Sequence, residues 1–481
     1  MKVVLCSVPI LTTQFPPISL AILSSELRSR GHSVKCFDFN IDACHKAGKH
    51  FTKYWEYQNG GYWHDANHYN NVLRPELFNR LISEWVELIS KEEPLLIGIS
   101  INNSQVGTHL AQALKHRLPH VPIVAGGPQC SIIYKHAAAR PSSWFDLIVS
   151  GEGDYTLVDI VESFEAQGKL VPVIGTSYKD KHGQIKYTGN RPPVIHLDSL
   201  HCPDFSDFDL NLYGDVVNDK IIHVKMLPYQ TSRGCVATCH FCADRHLQEG
   251  VFRQKTGKKI AEDLIYLKNQ FNNYDFCFVE LISNGNHRKL MELAKVLYEE
   301  KETISFWGHM RISSKLTLED GIVLRKSGLR HVTFGLESAS DSVLKKMRKG
   351  YNSKIASNCI KNVHNAGITI SINIIVGYPD ETIFNFLETL WFVIRHRRYL
   401  TSIPSVCDCN ASPGTDLFNE PDKFGIILNP NNPSVDWITK DGKNTLKRRL
   451  VLKKIMSLVF YHIFNLKFSG ARVFNPNPLR V

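Results

Sequence analysis

Three cysteines, Cys235, Cys239 and Cys242, stand close together in the stretch RGCVATCHFCADR. Thiolates at this spacing suit one soft metal centre, either zinc or an iron–sulfur cluster. A loop this short wraps three corners of a four-iron cubane and leaves the fourth iron open to a small molecule. The competing reading is a zinc site of the same cysteines completed by His240 or His246. The rest of the 12 cysteines are scattered along the chain. That distribution argues for free thiols in reducing surroundings rather than a disulfide framework.

Such a centre needs a scaffold, and 481 residues, 43% hydrophobic and 21% charged, exclude a disordered, collagen-like or coiled-coil chain. At roughly 100–200 residues per domain the length predicts two to four domains. Lys plus Arg number 57 against 46 Asp plus Glu, a net charge of +11, which favours anionic partners such as nucleotides, phosphorylated cofactors or acidic peptides. No apolar run reaches the roughly 18–20 residues of a spanning helix, and the opening MKVVLCSVPIL lacks a cleavage-site pattern. The expectation is a cytoplasmic chain with no transmembrane segment.

Residues 3–8, 34–39, 95–100, 123–125 and 145–149 read as buried strands, with helical periods at 20–30 and 107–118 between them. Gly31 ends the first helix where a left-handed residue is needed. Asp38 closes the second strand, where open parallel sheets present ligand-binding groups. Residues 41–92, rich in Tyr, Trp, His and Asn, read as an inserted helical excursion. This alternation predicts an α/β, Rossmann-like doubly wound domain over residues 1–190. Pro192, Pro193, Pro203 and the acidic stretch 204–209 predict a linker over 191–225. Strands expected at 229–232, 276–281, 304–308, 331–336, 368–376 and 402–407, separated by helices, predict a partial (β/α)6 TIM-type barrel over 226–418. A small helical tail, 419–481, follows, with a basic amphipathic helix at 446–468. In such barrels the reactive groups gather at the carboxyl ends of the strands.

The CxxxCxxC triplet, with Phe241 just before its last cysteine, resembles the signature of the radical SAM superfamily. In that family the cysteines bind a [4Fe-4S] cluster whose free iron chelates S-adenosylmethionine, and one-electron reduction releases a 5′-deoxyadenosyl radical. The resemblance runs over residues 225–418. It implies cofactor contacts from Phe241, from Glu280, Asn284 and Asn286 after the second strand, and from Arg311 after the third. It also implies that Glu337 and Ser338, in GLESAS, lie near the ribose, although Glu337 has the alternative of capping the next helix. NIIVGYPD, 373–380, resembles the family's adenine-cradling GxIxGxxE, with Asn373 and Gly377 at the glycine positions and Asp380 in place of the glutamate. Pro413-Gly414-Thr415 matches a turn after the sixth strand and is equally a helix start.

In the first domain GIS at 98–100, AGGPQ at 125–129 and SGEGD at 150–154 all fall at expected strand ends. Glycines there let backbone amides approach a bulky ligand. With PPISLAILSSELRSRGH ahead of them, the set resembles the cobalamin-binding domain of cobalamin-dependent radical SAM enzymes. The resemblance implies that Ser100, Gly126, Gly127, Gly151 and Gly153 hold cobalamin. The DxHxxG element that supplies a histidine to cobalt elsewhere is missing: Asp180-Lys181-His182 lies away from the first strand, with Ile185 at the glycine position. Members of this class often bind cobalamin without that histidine, and a domain that has lost the cofactor is the alternative.

What the resemblance implies is a methyltransferase acting on an unactivated carbon of a small molecule or peptide, through a 5′-deoxyadenosyl radical and methylcobalamin, supplied by an external one-electron reductant. Competing readings are a non-methylating rearrangement or cyclisation, a methylthiotransferase, whose additional cysteine cluster has no match among Cys6, Cys36, Cys44 and Cys130, and a non-catalytic sensor of another class. No nucleic-acid-reading module is recognisable, so no stable nucleic-acid partner is expected. Tyr54, Trp55, Tyr57, Tyr62 and Trp63 read as packing, His309 as a satisfied barrel histidine, and the basic helix as packed with its charges outward. Cys407 and Cys409 near the sixth strand end are candidate hydrogen donors.

Overall fold

The computed structural model describes residues 1–464 except 49, 57–61, 64, 103, 131–143, 218–219, 245–249, 273–274 and 303. The chain forms two compact units, Met1–Pro228 and Tyr229–Val481. Tyr57 and His246 lie outside the described residues, as do positions 465–468 of the expected C-terminal helix.

The first unit is built on a sheet of order β2-β1-β3-β4-β5-β6-β7. β1 (Lys2–Ser7), β2 (Ser33–Asp38), β3 (Leu96–Ser100), β4 (Ile123–Gly126) and β5 (Leu147–Val149) are parallel. The run VVLC in β1 is buried at every residue because helices cover both faces of the sheet. The order 2-1-3-4-5 is the doubly wound one, with its switch point between β1 and β3. α1 (Ile18–Arg28) gives way to Gly31 at φ +82°, as expected. α2 (Phe39–Lys46) is capped by Asp38, and α3 (Asn79–Lys91), α4 (Ser104–Arg117) and α5 (Asp154–Gln167) complete the layers. The aromatic excursion is core: Trp55 Nε1 donates to Asn40 Oδ1 at 2.9 Å and Trp63 Nε1 to the Tyr54 carbonyl at 2.7 Å.

Two features differ from expectation. β6 (Thr176–Lys179) and β7 (Ile185–Tyr187) extend the sheet antiparallel; β6 buries Thr176 and Ser177 rather than apolar residues and β7 is exposed throughout, so neither gives an apolar signal. The stretch read as a linker is instead fastened to the first unit. Arg28 ion-pairs with Asp204 and Asp207, Asp207 Oδ2 accepts from Cys36 N at 2.9 Å, and Glu26 Oε1 accepts from His201 N at 2.7 Å. It also carries the hairpin β8 (Gly214–Val217) and β9 (Lys220–His223). The acidic residues that suggested a solvated connector are partners for Arg28 and Lys35.

The second unit is an open six-stranded sheet in chain order: β10 (Met226–Tyr229), β13 (Asp275–Phe278), β14 (Phe306–Met310), β15 (Leu329–Glu337), β16 (Thr369–Val376) and β17 (Ser402–Asp408). β10 lies slightly upstream of expectation because Ser232–Arg233, as β11, turns away to pair antiparallel with β12 (Arg253–Gln254). α6 (Gly257–Phe271), α7 (His287–Glu299), α8 (Leu318–Lys326), α9 (Asp341–Lys346), α10 (Ser353–Asn365) and α11 (Ile383–His396) connect the strands. The tail is not purely helical: β18 (Ile426–Leu428) pairs with β19 (Trp437–Thr439) before α12 (Leu446–Phe464). Thr415 caps the short helix Asp416–Asn419, so Pro413-Gly414-Thr415 is a helix start.

Candidate active site

The β11–β12 pair closes the base of the loop that carries Cys235, Cys239 and Cys242. Gly234 makes the closure possible: at φ +79°, a Cβ there would lie 2.3 Å from the Val251 carbonyl oxygen. The base is bolted to the end of β13. Ser232 Oγ donates to the Ile282 carbonyl at 3.0 Å, Gln254 Nε2 to the Ser283 carbonyl at 3.0 Å, and Thr231 Oγ1 to Glu280 Oε1 at 2.7 Å.

All three cysteines are free thiols. The Ala237 amide donates to Cys235 Sγ at 3.4 Å, and Cys239 Sγ lies 3.8 Å from the Arg348 carbonyl. Burial pushes the Cys239 thiol up; Lys349 and Arg311 pull it down, while Cys235 and Glu337 add to the rise. These groups therefore share one electrostatic neighbourhood. Cys242 Sγ is 3.8 Å from Asp244 Oδ2, whose carboxyl burial raises. Among the described residues no three His, Cys, Asp or Glu side chains converge as a single ion requires. A cubane instead places each thiolate on its own iron. His240 Nδ1 is 2.6 Å from Asp416 Oδ2, and its carbonyl accepts from the Asp416 and Leu417 amides, which ties the loop to the start of the next helix. The donor set fits an iron–sulfur cluster.

Beside Cys239 lies a buried charged group that sequence reading reached only in part. Glu337 ends β15 at φ +63°, and burial raises its carboxyl against the pull of Lys349. Lys349 Nζ sits 3.6 Å from Glu337 Oε1 and over the rings of Phe241 and Tyr351 at 5.7 and 5.8 Å. Arg311 donates to the Lys349 carbonyl and leaves its Nε buried without a partner. α9 begins after Ser340, so Glu337 does not cap it. Lys349 was missed because it stands in the run KKMRK, where only burial distinguishes it.

Other expected contacts have work inside the fold. Glu280 is buried, with both oxygens on Thr231, and burial raises its carboxyl. Asn284 clamps Arg311 by two 2.8 Å bonds to its backbone, and Asn286 caps α7. Ser338 Oγ is 3.0 Å from Thr389 Oγ1. Asn373 is partly exposed in β16, in register with Gly335 and Ser405. Gly377, at φ +76°, packs against the tail: a Cβ would lie 2.4 Å from Arg449 Cγ. Asp380 is exposed and pairs with Lys346 at 3.1 Å. The carboxylate turned inward is its neighbour Glu381, whose Oε2 accepts from Gly377 N at 2.5 Å. Cys409 is buried and Cys407 exposed, 2.9 Å from Ser405 Oγ. His309 neighbours the buried His331, whose imidazole burial lowers to about 4.

In the first unit, Ser7, Ser100 and Gly126 lie side by side at the carboxyl ends of β1, β3 and β4. Gly127, at φ +105°, approaches Ile101 so closely that a Cβ would be 2.8 Å from its carbonyl oxygen. Gly151, at φ +84°, has open space where a Cβ would be, and Gly153 precedes α5. These small residues form a ledge at the carboxyl ends of the strands. Asp38 does not line it: its carboxylate is consumed by Ser7, Tyr213, Asn40 and Ile41.

Residues 229–393, from the end of β10 through most of α11, match the Radical SAM superfamily. The chain carries a radical SAM domain. Around that domain, an uncharacterized methyltransferase of Pyrococcus horikoshii is 25% identical over 358 residues, 73% of this chain and 74% of that protein. An anaerobic magnesium-protoporphyrin IX monomethyl ester cyclase of Rubrivivax gelatinosus is 24% identical, over 70% of this chain and 60% of that one. Among solved structures, the cobalamin-dependent radical SAM enzyme OxsB, with aqua-cobalamin and S-adenosylmethionine bound, superposes with a TM-score of 0.62 at 19% identity, covering 95% of this chain and 61% of that chain. The radical SAM methyltransferase TsrM of Kitasatospora setae, with cobalamin and a [4Fe-4S] cluster bound, gives 0.62 at 14% identity, over 90% and 78%. The radical SAM domain and the unit before it thus share the α/β fold of cobalamin-dependent radical SAM enzymes.

Proposed function

We propose that the chain is a cobalamin-dependent radical SAM methyltransferase that methylates an unactivated carbon of a small molecule or peptide. The observation that carries the reading is the free-thiol loop, closed by β11–β12 and set against the buried Glu337–Lys349–Arg311 group inside the matched radical SAM domain. When bound, a [4Fe-4S] cluster would supply one-electron cleavage of S-adenosylmethionine and cobalamin would supply carriage of a methyl group. Cys235, Cys239 and Cys242 would hold the cluster. Burial raises the Cys239 thiol, and the Lys349 and Arg311 cations oppose that rise.

Glu337, buried and partly balanced by Lys349, offers an acceptor to the ribose hydroxyls, with Ser338 beside it in sequence. Asn284 fixes Arg311, and Glu280 fixes the strand end that leads into the cysteine loop. Asn286 and Phe241 would shape the same rim, and Asn373, within β16, and Gly377, which follows it, are the candidates for the adenine. Ser100, Gly126, Gly127, Gly151 and Gly153 would hold cobalamin, their small size letting backbone amides approach a bulky ligand. None of this needs a histidine beneath the cobalt. No described helix is long and apolar enough to cross a membrane. We place the enzyme in the cytoplasm, served by an external one-electron reductant.

Product analysis tests the proposal. Anaerobic turnover with S-adenosylmethionine should yield both 5′-deoxyadenosine and S-adenosylhomocysteine. 5′-Deoxyadenosine alone would favour rearrangement or cyclisation, a reading that the likeness to the Rubrivivax cyclase keeps open. Neither product would point to a sensor.

A further inference from the structure

α11 is apolar on two faces, interrupted by exposed Glu388 and half-buried Asn385. Phe386, Phe392 and Val393 are buried, while Ile383, Phe384, Leu387 and Trp391 are exposed, Phe384 at 74% and Trp391 at 64%. At 100° per residue these four fall within one arc of about 100°, with partly buried Ile394 inside it and Leu390 at its edge. A helix with an apolar outer stripe of this width normally has something covering it. The carboxyl end of the same helix is cationic. Arg395, Arg397 and Arg398 are exposed, Lys361 joins them around His396, and none has an acidic partner within ion-pair distance among the described residues. α12 repeats the composition. It starts where Arg448 donates to the Glu381 carbonyl, just before α11, and exposes Val451, Ile455 and Leu458 beside Lys447 and Lys454.

We propose that the outer face of α11, together with α12, seats this protein on an anionic lipid bilayer surface. Tryptophan, phenylalanine and leucine on one face with unpaired arginines alongside is the composition of a helix that lies in the headgroup plane. The charge excess of +11 acts in the same direction. An acidic electron-donor protein fits this surface less well. Arg397 and Arg398 precede β17, at the amino ends of the strands, whereas the cysteines lie at the carboxyl ends; about 20 Å of helix separates the two rims. A second copy of the chain is the competing occupant, and the test below separates the two. This proposal does not depend on the methyltransferase reading, because its readout is binding.

The test is sedimentation of the full-length chain with vesicles of phosphatidylglycerol and phosphatidylcholine, and with phosphatidylcholine alone. Binding is expected to the anionic vesicles only, to weaken as salt is raised, and to fall about five-fold for each of Arg395→Gln and Arg397→Gln. F384S/W391S, which changes only exposed side chains, should fold normally by circular dichroism and lose at least ten-fold in vesicle binding. Absence of binding, equal binding to neutral vesicles, or binding unchanged in F384S/W391S would overturn the proposal. A concentration-dependent dimer that F384S/W391S abolishes, with no vesicle binding, would overturn it in favour of self-association.

Discussion

Glu381 offers a quantitative test of how the tail is attached. Its carboxyl is pushed up from an ordinary 4.5 to about 7 by burial, against the stabilising Gly377 N–H bond and the nearby Arg448; the Cys409 thiol is the other titratable group close to it. Between these two values the folded chain holds the proton and the unfolded chain releases it, so this group's contribution to stability falls as pH rises from 4.5 to 7 and is constant beyond. The gap corresponds to about 2–4 kcal/mol. Glu381→Gln keeps an acceptor for the Gly377 amide and removes the charge. The variant should be more stable than the parent by about that amount at pH 8.5, with the difference vanishing below pH 5. Urea unfolding of both proteins from pH 5 to 8.5, followed by far-UV circular dichroism, measures it. Curves that stay parallel at all pH values would refute the reasoning and mean that Glu381 is hydrated.

Gly377→Ala should cost about 2–4 kcal/mol, because it puts a Cβ into the left-handed region and against the buried Arg449 side chain. A melting temperature within a degree of the parent would contradict that packing. Lys349→Met should destabilise by about 3–5 kcal/mol at neutral pH by stranding the Glu337 carboxylate, and adding Glu337→Gln should recover much of it. A double-mutant cycle with no coupling would mean that the pair does not interact.

The strands were legible where both faces are buried, since a run such as VVLC in β1 has few alternatives. The β8–β9 hairpin was not, because a glycine and solvent-facing polar residues hide its period. The cysteine loop was legible as chemistry, but its closure was not: Ser232–Arg233 and Arg253–Gln254 are too short to announce a pairing. Charged residues misled most, because the default for a lysine or arginine is a solvated tip. Arg449 is fully buried, its guanidinium 3.7 Å over Trp437 and bonded to carbonyls of Val435 and Trp437. A signal for it existed: Arg449, Leu452, Met456 and Phe460 follow helical spacing on one stripe. Glu381 was passed over for Asp380 because pattern matching counts positions, whereas the left-handed turn at Asp380 decides which carboxylate points inward.

The central claim is that Cys235, Cys239 and Cys242 grip a cluster with one iron left for S-adenosylmethionine. Electron paramagnetic resonance of the anaerobically reconstituted, dithionite-reduced chain tests it most directly. A [4Fe-4S]⁺ signal that shifts when S-adenosylmethionine is added, and that is lost in Cys239→Ala, is the predicted result. A signal indifferent to S-adenosylmethionine, or one that persists in Cys239→Ala, would contradict the account.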